Sequence, residues 1–251
     1  MSDKVIITGA TGAMGSVAAR ELARSGYSVV MACRNLSKAE TVRRGILSVV
    51  PDADIEIKHL DLSSLDSVRS FASGIGDEPI WGLFNNAGII SKEYSFKVNY
   101  FGPALLTLLL LPKMIPDARI VNMVSLTCRF VSINENSLNA DTGEFSLLGT
   151  YARSKLALLH FSMELARRHP ELRVNLADPG IVNSNMISMG RWFDPLADIL
   201  FRPFCKSPER GVRPALNAFS SEEKNKYFVG KRIIEIGNRQ IGWNNHCISK
   251  L

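Results

Sequence analysis

Tyr151 and Lys155 stand four residues apart in Tyr-Ala-Arg-Ser-Lys. On a helix, spacing i, i+4 puts the phenol and the ammonium on one face. A free phenol, with a pKa of roughly 10, is a poor proton donor or base near neutrality. A cation beside it favours the phenolate and lowers that value toward the range useful for acid–base work. Alone, Y-x-x-x-K arises by chance and is more often structural. It has company here. Ser125 closes the apolar run Arg119–Ser125, Asn99 heads the apolar stretch Asn99–Leu111, and Asn85-Asn86-Ala87-Gly88 ends the run Ile80–Asn85. Ser125 could instead cap a turn, and Asn99 a helix. Four polar positions from four elements at one sheet edge nonetheless describe a site for proton transfer at a substrate oxygen.

A second cluster lies at the start, in Thr8–Gly15, TGATGAMG. Gly9, Gly12 and Gly15 are spaced G-x-x-G-x-x-G rather than G-x-G-x-x-G. Glycines between a strand and a helix let backbone amides approach a pyrophosphate, and the helix N-terminus adds favourable partial charge. Gly9 would make the turn, Gly12 the close approach and Gly15 the contact between helix and strand. A glycine triplet also serves tight turns for purely conformational reasons. The end of the next strand decides the cofactor. An acid there would accept from a ribose 2′-hydroxyl, whereas a cation suits a 2′-phosphate. Ala32-Cys33-Arg34-Asn35 offers Arg34 and no acid before Glu40. NADP is therefore expected over NAD.

The elements that must position these residues alternate along the chain. Strand patterns occur at Val5–Thr8, Val29–Cys33, Asp54–His59, Ile80–Asn85, Arg119–Ser125, Leu172–Ala177 and Arg232–Ile236. Helical patterns occupy Gly15–Ser25, Ser37–Val50, Leu65–Ser73, Asn99–Leu111 and Tyr151–Arg168. Such alternation predicts one α/β domain over residues 1–251, a doubly wound, mostly parallel sheet with helices on both faces. Ligands of such sheets bind beyond the C-terminal strand ends.

Composition narrows the class. An apolar fraction of 46% and a charged fraction of 22% are those of a soluble globular protein. The net charge of +6 could attract nucleic acid, but the basic residues are scattered and never run beyond pairs. No nucleic-acid partner is expected. Cys33, Cys128, Cys205 and Cys247 show no metal-ligand spacing, so no metal is expected. The start runs straight into a strand, and the apolar run Ala104–Leu111 is too short to span a bilayer. A cytoplasmic protein without a membrane span is the expectation.

The chain resembles the short-chain dehydrogenase/reductase family over nearly its full length. The resemblance is carried by Thr8-Gly9…Gly12…Gly15, Asp61-Leu62, Asn85-Asn86-Ala87-Gly88, Asn99, Ser125, Tyr151…Lys155 and Asp178-Pro179-Gly180. Ala-Cys-Arg after the second strand, Ser-Lys-Leu-Ala after Tyr151 and the long Ser125–Tyr151 gap point to its retinol-dehydrogenase-like, NADP-preferring branch. The resemblance implies a Rossmann-type fold and residue roles. Tyr151 would be the general acid or base. Lys155 would bind the nicotinamide ribose and tune Tyr151. Ser125 would hydrogen-bond the substrate oxygen, and Asn99 would hold a water of the proton relay. The cofactor would contact Gly9, Thr11, Gly12, Ala13, Met14, Gly15, Arg34 and Asn35, with Asp61 and Leu62 at the adenine. Asn86, Ala87 and Gly88 would meet the adjacent ribose, and Pro179, Gly180 and Val182 the nicotinamide side. A homodimer or homotetramer is expected.

Three departures stand out. Ala13 replaces the family's middle glycine, the Gly88–Asn99 segment is short, and the chain after Arg232 carries nothing assignable. The stretch Ser184–Cys205 reads as a lid, with Met186, Met189, Trp192, Phe193, Leu196, Ile199, Leu200, Phe201 and Phe204. Its apolar density points to a small apolar carbonyl or alcohol substrate, although packing on the core would look the same. Two other readings compete with this one. A non-enzymatic NADP-binding regulator would not need Ser125, Tyr151 and Lys155 together, and an epimerase would need a larger domain after Gly180.

Overall fold

The computed structural model describes residues 3–133, 146–182 and 206–236; the lid expected at Ser184–Cys205 lies outside them. The strands are β1 (Lys4–Thr8), β2 (Ser28–Cys33), β3 (Ile55–His59), β4 (Ile80–Asn85), β5 (Met114–Met123), β6 (Arg173–Asp178), β7 (Lys226–Val229) and β8 (Arg232–Glu235). Among the described residues they form one sheet in the order β3-β2-β1-β4-β5-β6-β7-β8. Every neighbouring pair is parallel except β7 and β8. The order reverses between β1 and β4, so their C-terminal ends open a crevice for ligand.

The helices are α1 (Ala13–Arg24), α2 (Leu36–Leu47), α3 (Leu65–Ser73), α4 (Gly102–Leu110), α5 (Leu147–Arg168) and α6 (Pro208–Ser220). They cover both faces because strand side chains alternate. Val5, Ile7, Val29 and Met31 pack with Ala18, Leu22, Ala39, Val212 and Phe219 of α1, α2 and α6. Ile6, Val30 and Ala32 point the other way, onto Val68, Leu106 and Leu165 of α3, α4 and α5. Each large apolar side chain so buried contributes roughly 1.5–3 kcal/mol. Among the described residues no helix is long and apolar enough to cross a membrane.

The pattern is as expected from the sequence in most elements, and the differences have local causes. Asn99 does not head a helix. It lies in a π-helical turn, Lys97–Phe101, whose wide bond runs from the Gly102 amide to the Lys97 carbonyl. Pro103 follows and has no N–H to return to the Asn99 carbonyl, so the wider turn skips that bond. Tyr151 does not open its helix either; α5 begins a turn earlier, where the Ser146 hydroxyl accepts from the Gly149 amide. Likewise α2 starts at Leu36 because the Asn35 side chain accepts from the Lys38 amide at 2.8 Å. Ser125 stands beyond β5 and caps the short 3-10 turn Leu126–Phe130.

Two elements were illegible in the pattern. Helix α6 carries Gly211 and Pro214 inside it, which hides its periodicity, although Ser207-Pro208-Glu209 is a strong start signal. Strand β7 is only four residues long. The last expected strand does form, as β8, the antiparallel half of a hairpin with β7 around Gly230.

Candidate active site

The glycine loop is shaped by close contacts. Gly9 has φ +67°, and a Cβ there would stand 2.9 Å from Ala87 Cα. At Gly15 a Cβ would stand 2.2 Å from the Gly9 carbonyl oxygen, so the first turn of α1 lies against the loop itself. Gly12 differs: the nearest atom to a Cβ would be the Gly9 oxygen at 3.4 Å, an ordinary contact. The backbone there is crowded by nothing in the protein. Gly12 also caps α1 without any side-chain bond, while Asn35, Ser64, Ser146 and Ser207 cap α2, α3, α5 and α6 with theirs. The amides and partial positive charge of α1 are thus left to a ligand.

These residues line a cleft of about 670 Å³. Gly9, Thr11, Gly12, Ala13, Met14, Gly15, Arg34, Asn35, Asp61, Leu62, Asn86, Ala87 and Gly88 all border it. Lys38, one helical turn beyond Arg34, also borders it and was missed in the sequence, although the i, i+4 spacing of two cations was readable. Burial raises the Asp61 carboxyl, but hydrogen bonds from Ser63 and the charges of Arg34 and His59 hold it below its ordinary value. Its Oδ1 accepts from the Ser63 amide at 2.9 Å and hydroxyl at 2.6 Å. Asn86 ties the two strand ends together, donating from Nδ2 to the Thr8 carbonyl at 3.0 Å. Its Oδ1 is buried and without a protein hydrogen-bond partner. An open cradle, an uncapped helix end, cations at one side and an unmet acceptor fit a phosphorylated dinucleotide.

The polar set sits next to that cleft, joined to it at Gly88. A Cβ on Gly88 would lie 3.1 Å from Lys155 Nζ and 3.3 Å from Asn99 Oδ1. Asn99 is fully buried and exchanges hydrogen bonds with the Ile89 backbone at 2.9 Å in each direction. Its Nδ2 also reaches Ser154 Oγ at 2.9 Å, and Ser154 in turn donates to the Tyr151 carbonyl at 2.7 Å. Ser154 was missed in the sequence. It clamps the π-helical turn to the helix that carries Tyr151 and Lys155.

Lys155 is 3% exposed and donates to the Met123 carbonyl at 2.9 Å. Burial brings its ammonium down to about 8. Tyr151 hydrogen-bonds Ser125, yet burial pushes the phenol up to about 12, with the charges of Cys128 and Asp178 adding to the rise. The sequence expectation of a phenol lowered by the lysine is thus corrected in this structure. Desolvation outweighs the Ser125 hydrogen bond, and the ammonium is engaged with Met123. Ser125 Oγ meanwhile accepts from the Thr127 amide and hydroxyl.

The Asp178-Pro179-Gly180 turn follows β6, and Pro179, Gly180 and Val182, expected at the nicotinamide side, are not among the described residues that border the cleft. Val182 packs on Gly211, where a Cβ would stand 2.4 Å from Val182 Cγ2 and 3.3 Å from Met14 Sδ. That contact brings Val182 to the start of α1. Lys206, another residue missed in the sequence, donates from Nζ to the Pro179 carbonyl at 3.1 Å.

The chain is similar to known proteins in sequence and in fold. A family model described as short chain dehydrogenase matches residues 3–191. Retinol dehydrogenase 13 of Homo sapiens is 34% identical, covering 90% of this chain and 76% of that protein. A crystal structure of an uncharacterised protein from Mycobacterium Paratuberculosis is 32% identical, with a TM-score of 0.74 over 95% of this chain and 86% of that one. A short chain dehydrogenase from Shigella flexneri 2a, complexed with NADP, shares the fold at 21% identity, with a TM-score of 0.73 over 92% of this chain and 98% of that one.

Proposed function

The chain belongs to the short-chain dehydrogenase family and is an alcohol/carbonyl oxidoreductase, and from that premise we propose an NADP(H)-dependent enzyme for a small apolar substrate, with Tyr151 as acid or base. The observation that carries the reading is the joint at Gly88, where the 670 Å³ cleft meets Lys155 and Asn99. Tyr151 stands on the same helix as that lysine and hydrogen-bonds Ser125 just beyond the end of β5.

Bound in the cleft, a nicotinamide cofactor supplies the hydride. The chain does the rest. The amides at the start of α1 would hold the pyrophosphate, and Arg34 with Lys38 the 2′-phosphate. Tyr151, kept protonated by burial, would give its proton to a carbonyl oxygen, while the Ser125 hydroxyl would donate to the same oxygen as charge develops. In the reverse direction the deprotonated phenol would take the proton of the alcohol. Lys155 would hold the adjacent ribose, and Asn99 would keep Ile89 and Ser154 in register around it.

Apolar surface supports the substrate class. Leu126 and Phe130, just after Ser125, are 44% and 80% exposed, and Ile181, just after Gly180, is 72% exposed. Retinol, in the name of one relative, is an apolar alcohol of that class. A cytosolic homodimer or homotetramer is part of the same reading. The non-enzymatic alternative is not favoured, because the family and its relatives are oxidoreductases. The test is titration of the purified protein with NADPH and NADH, followed by NADPH consumption across a panel of apolar ketones and aldehydes. Tighter binding of NADPH and turnover of at least one apolar carbonyl are expected. Preference for NADH, or turnover confined to polar sugars, would overturn the reading.

A further inference from the structure

Four polar side chains run through the core from α4 across β4 and β5 to α5, and the chemistry proposed above uses none of them. Asn85 Nδ2 donates to Thr107 Oγ1 at 3.1 Å and to Asn122 Oδ1 at 2.8 Å. Asn122 Nδ2 donates to Ser162 Oγ at 2.8 Å, and that hydroxyl donates to the Leu158 carbonyl at 2.7 Å. All four residues are buried, and Leu83 and Ile120, two residues earlier on the same strands, belong to the apolar core. Polar groups there are costly unless hydrogen-bonded. Once bonded, they specify one arrangement of strand and helix, which apolar contacts alone would not.

The row ends on α5, two turns beyond the lysine. Asn122 and Met123 are consecutive on β5: the first holds Ser162 through its side chain, the second holds Lys155 through its carbonyl at 2.9 Å. Seven residues separate Lys155 from Ser162, which puts them on one side of α5 and roughly 10 Å apart along its axis. A helix held at one point can still tilt, and a second point removes that freedom. Lys155 Nζ lies where the cleft begins, 3.1 Å from a Cβ on Gly88, so the tilt of α5 decides how the ammonium and the Tyr151 phenol meet it. We propose that Asn122 and Ser162 are positioning residues that set the lie of α5 on β5, and through it the placement of Lys155 and Tyr151 at the cleft. Neither borders the cleft. Their role rests on the alcohol/carbonyl chemistry proposed above and concerns placement, not proton transfer itself.

Ser162→Ala removes the acceptor of Asn122 Nδ2. In NADPH-dependent reduction of the apolar carbonyl that the wild type turns over best, at a temperature where both proteins are folded, it is expected to lower kcat about tenfold. Affinity for adenosine 2′,5′-bisphosphate, which probes only the nucleotide end of the cleft, should stay at the wild-type value. In an Asn122→Leu background the amide is already gone, and adding Ser162→Ala should cost nothing more, because the two act through one bond. A lowered melting temperature with kcat unchanged, a parallel loss of bisphosphate binding, or the same loss of kcat in both backgrounds would overturn the proposal. Should Asn122→Leu not fold, Ser162→Thr takes its place: the hydroxyl is kept, wild-type kcat is expected, and a loss equal to that of Ser162→Ala would contradict it. A second readout needs no substrate. By NMR of the lysine ε-carbons, Lys155 should titrate near 8 in the wild type and move toward 10.5 in Ser162→Ala as water reaches it, and an unchanged titration would count against the proposal. A wild type that reduces no apolar carbonyl would sink the substrate reading, while the Lys155 titration still decides the role of Asn122 and Ser162.

Discussion

Lys155 Nζ donates to the carbonyl oxygen of Met123 at 2.9 Å, so the ammonium of α5 is bound to the end of β5, two residues before Ser125. The strand end that presents the serine is thereby fixed to the helix that presents the tyrosine. Stability should carry the mark of that buried amine. Lys155 stands at about 8 in the fold against 10.5 when exposed. Between those values the unfolded chain binds more protons, so stability rises with pH, and the cost of the buried charge is in full force below about pH 8. Lys155→Met removes this dependence. The stability of the wild type relative to Lys155→Met should increase between pH 8 and 10, by up to roughly 3 kcal/mol. Urea denaturation of both proteins across that window is the measurement, and a constant difference would contradict it.

Gly12 and Gly15 should separate folding from binding. A methyl at Gly15 would stand 2.2 Å from the Gly9 oxygen and 2.7 Å from Asn86 Nδ2. Gly15→Ala should cost about 1–3 kcal/mol of stability and distort the cradle. Gly12→Ala meets nothing closer than 3.4 Å, so it should melt like the wild type while binding NADPH more weakly. Thermal melts with and without NADPH decide between them. Equal destabilisation by both would remove the assignment of Gly12 to the ligand.

Arg34 and Lys38 border one side of the cleft. Arg34→Ala should raise KM for NADPH about tenfold or more, the worth of one charge-assisted hydrogen bond, and leave KM for NADH little changed. Steady-state kinetics with both cofactors measure this. Equal effects on the two would remove the argument for a 2′-phosphate site.

Much of this was legible in the sequence because alternation of short strands and helices leaves few topologies open. The glycine loop and Ser125 fall where strands end, while Asn99 lies in the turn before α4 and Tyr151 and Lys155 lie in the first turns of α5. What the pattern hid depends on contacts between distant segments. Nothing local to Asn99 says that its side chain is spent on Ile89 and Ser154, and Tyr151 looks like an activated phenol until its burial is known. Helix α6 was masked by Gly211 and Pro214, yet Gly211 is needed where Val182 packs against it. Asp178 read as part of a motif, and only the structure shows that its oxygens accept from the Gly180 amide and the Tyr227 hydroxyl.

The central claim is that Tyr151 moves the proton. The most direct test compares Tyr151→Phe with the wild type in NADPH-dependent reduction of whichever apolar carbonyl the wild type turns over best, with NADPH affinity measured alongside. A loss of kcat of roughly 10²–10⁴-fold is expected, with NADPH affinity within a few-fold of the wild type. Turnover retained by Tyr151→Phe would contradict it.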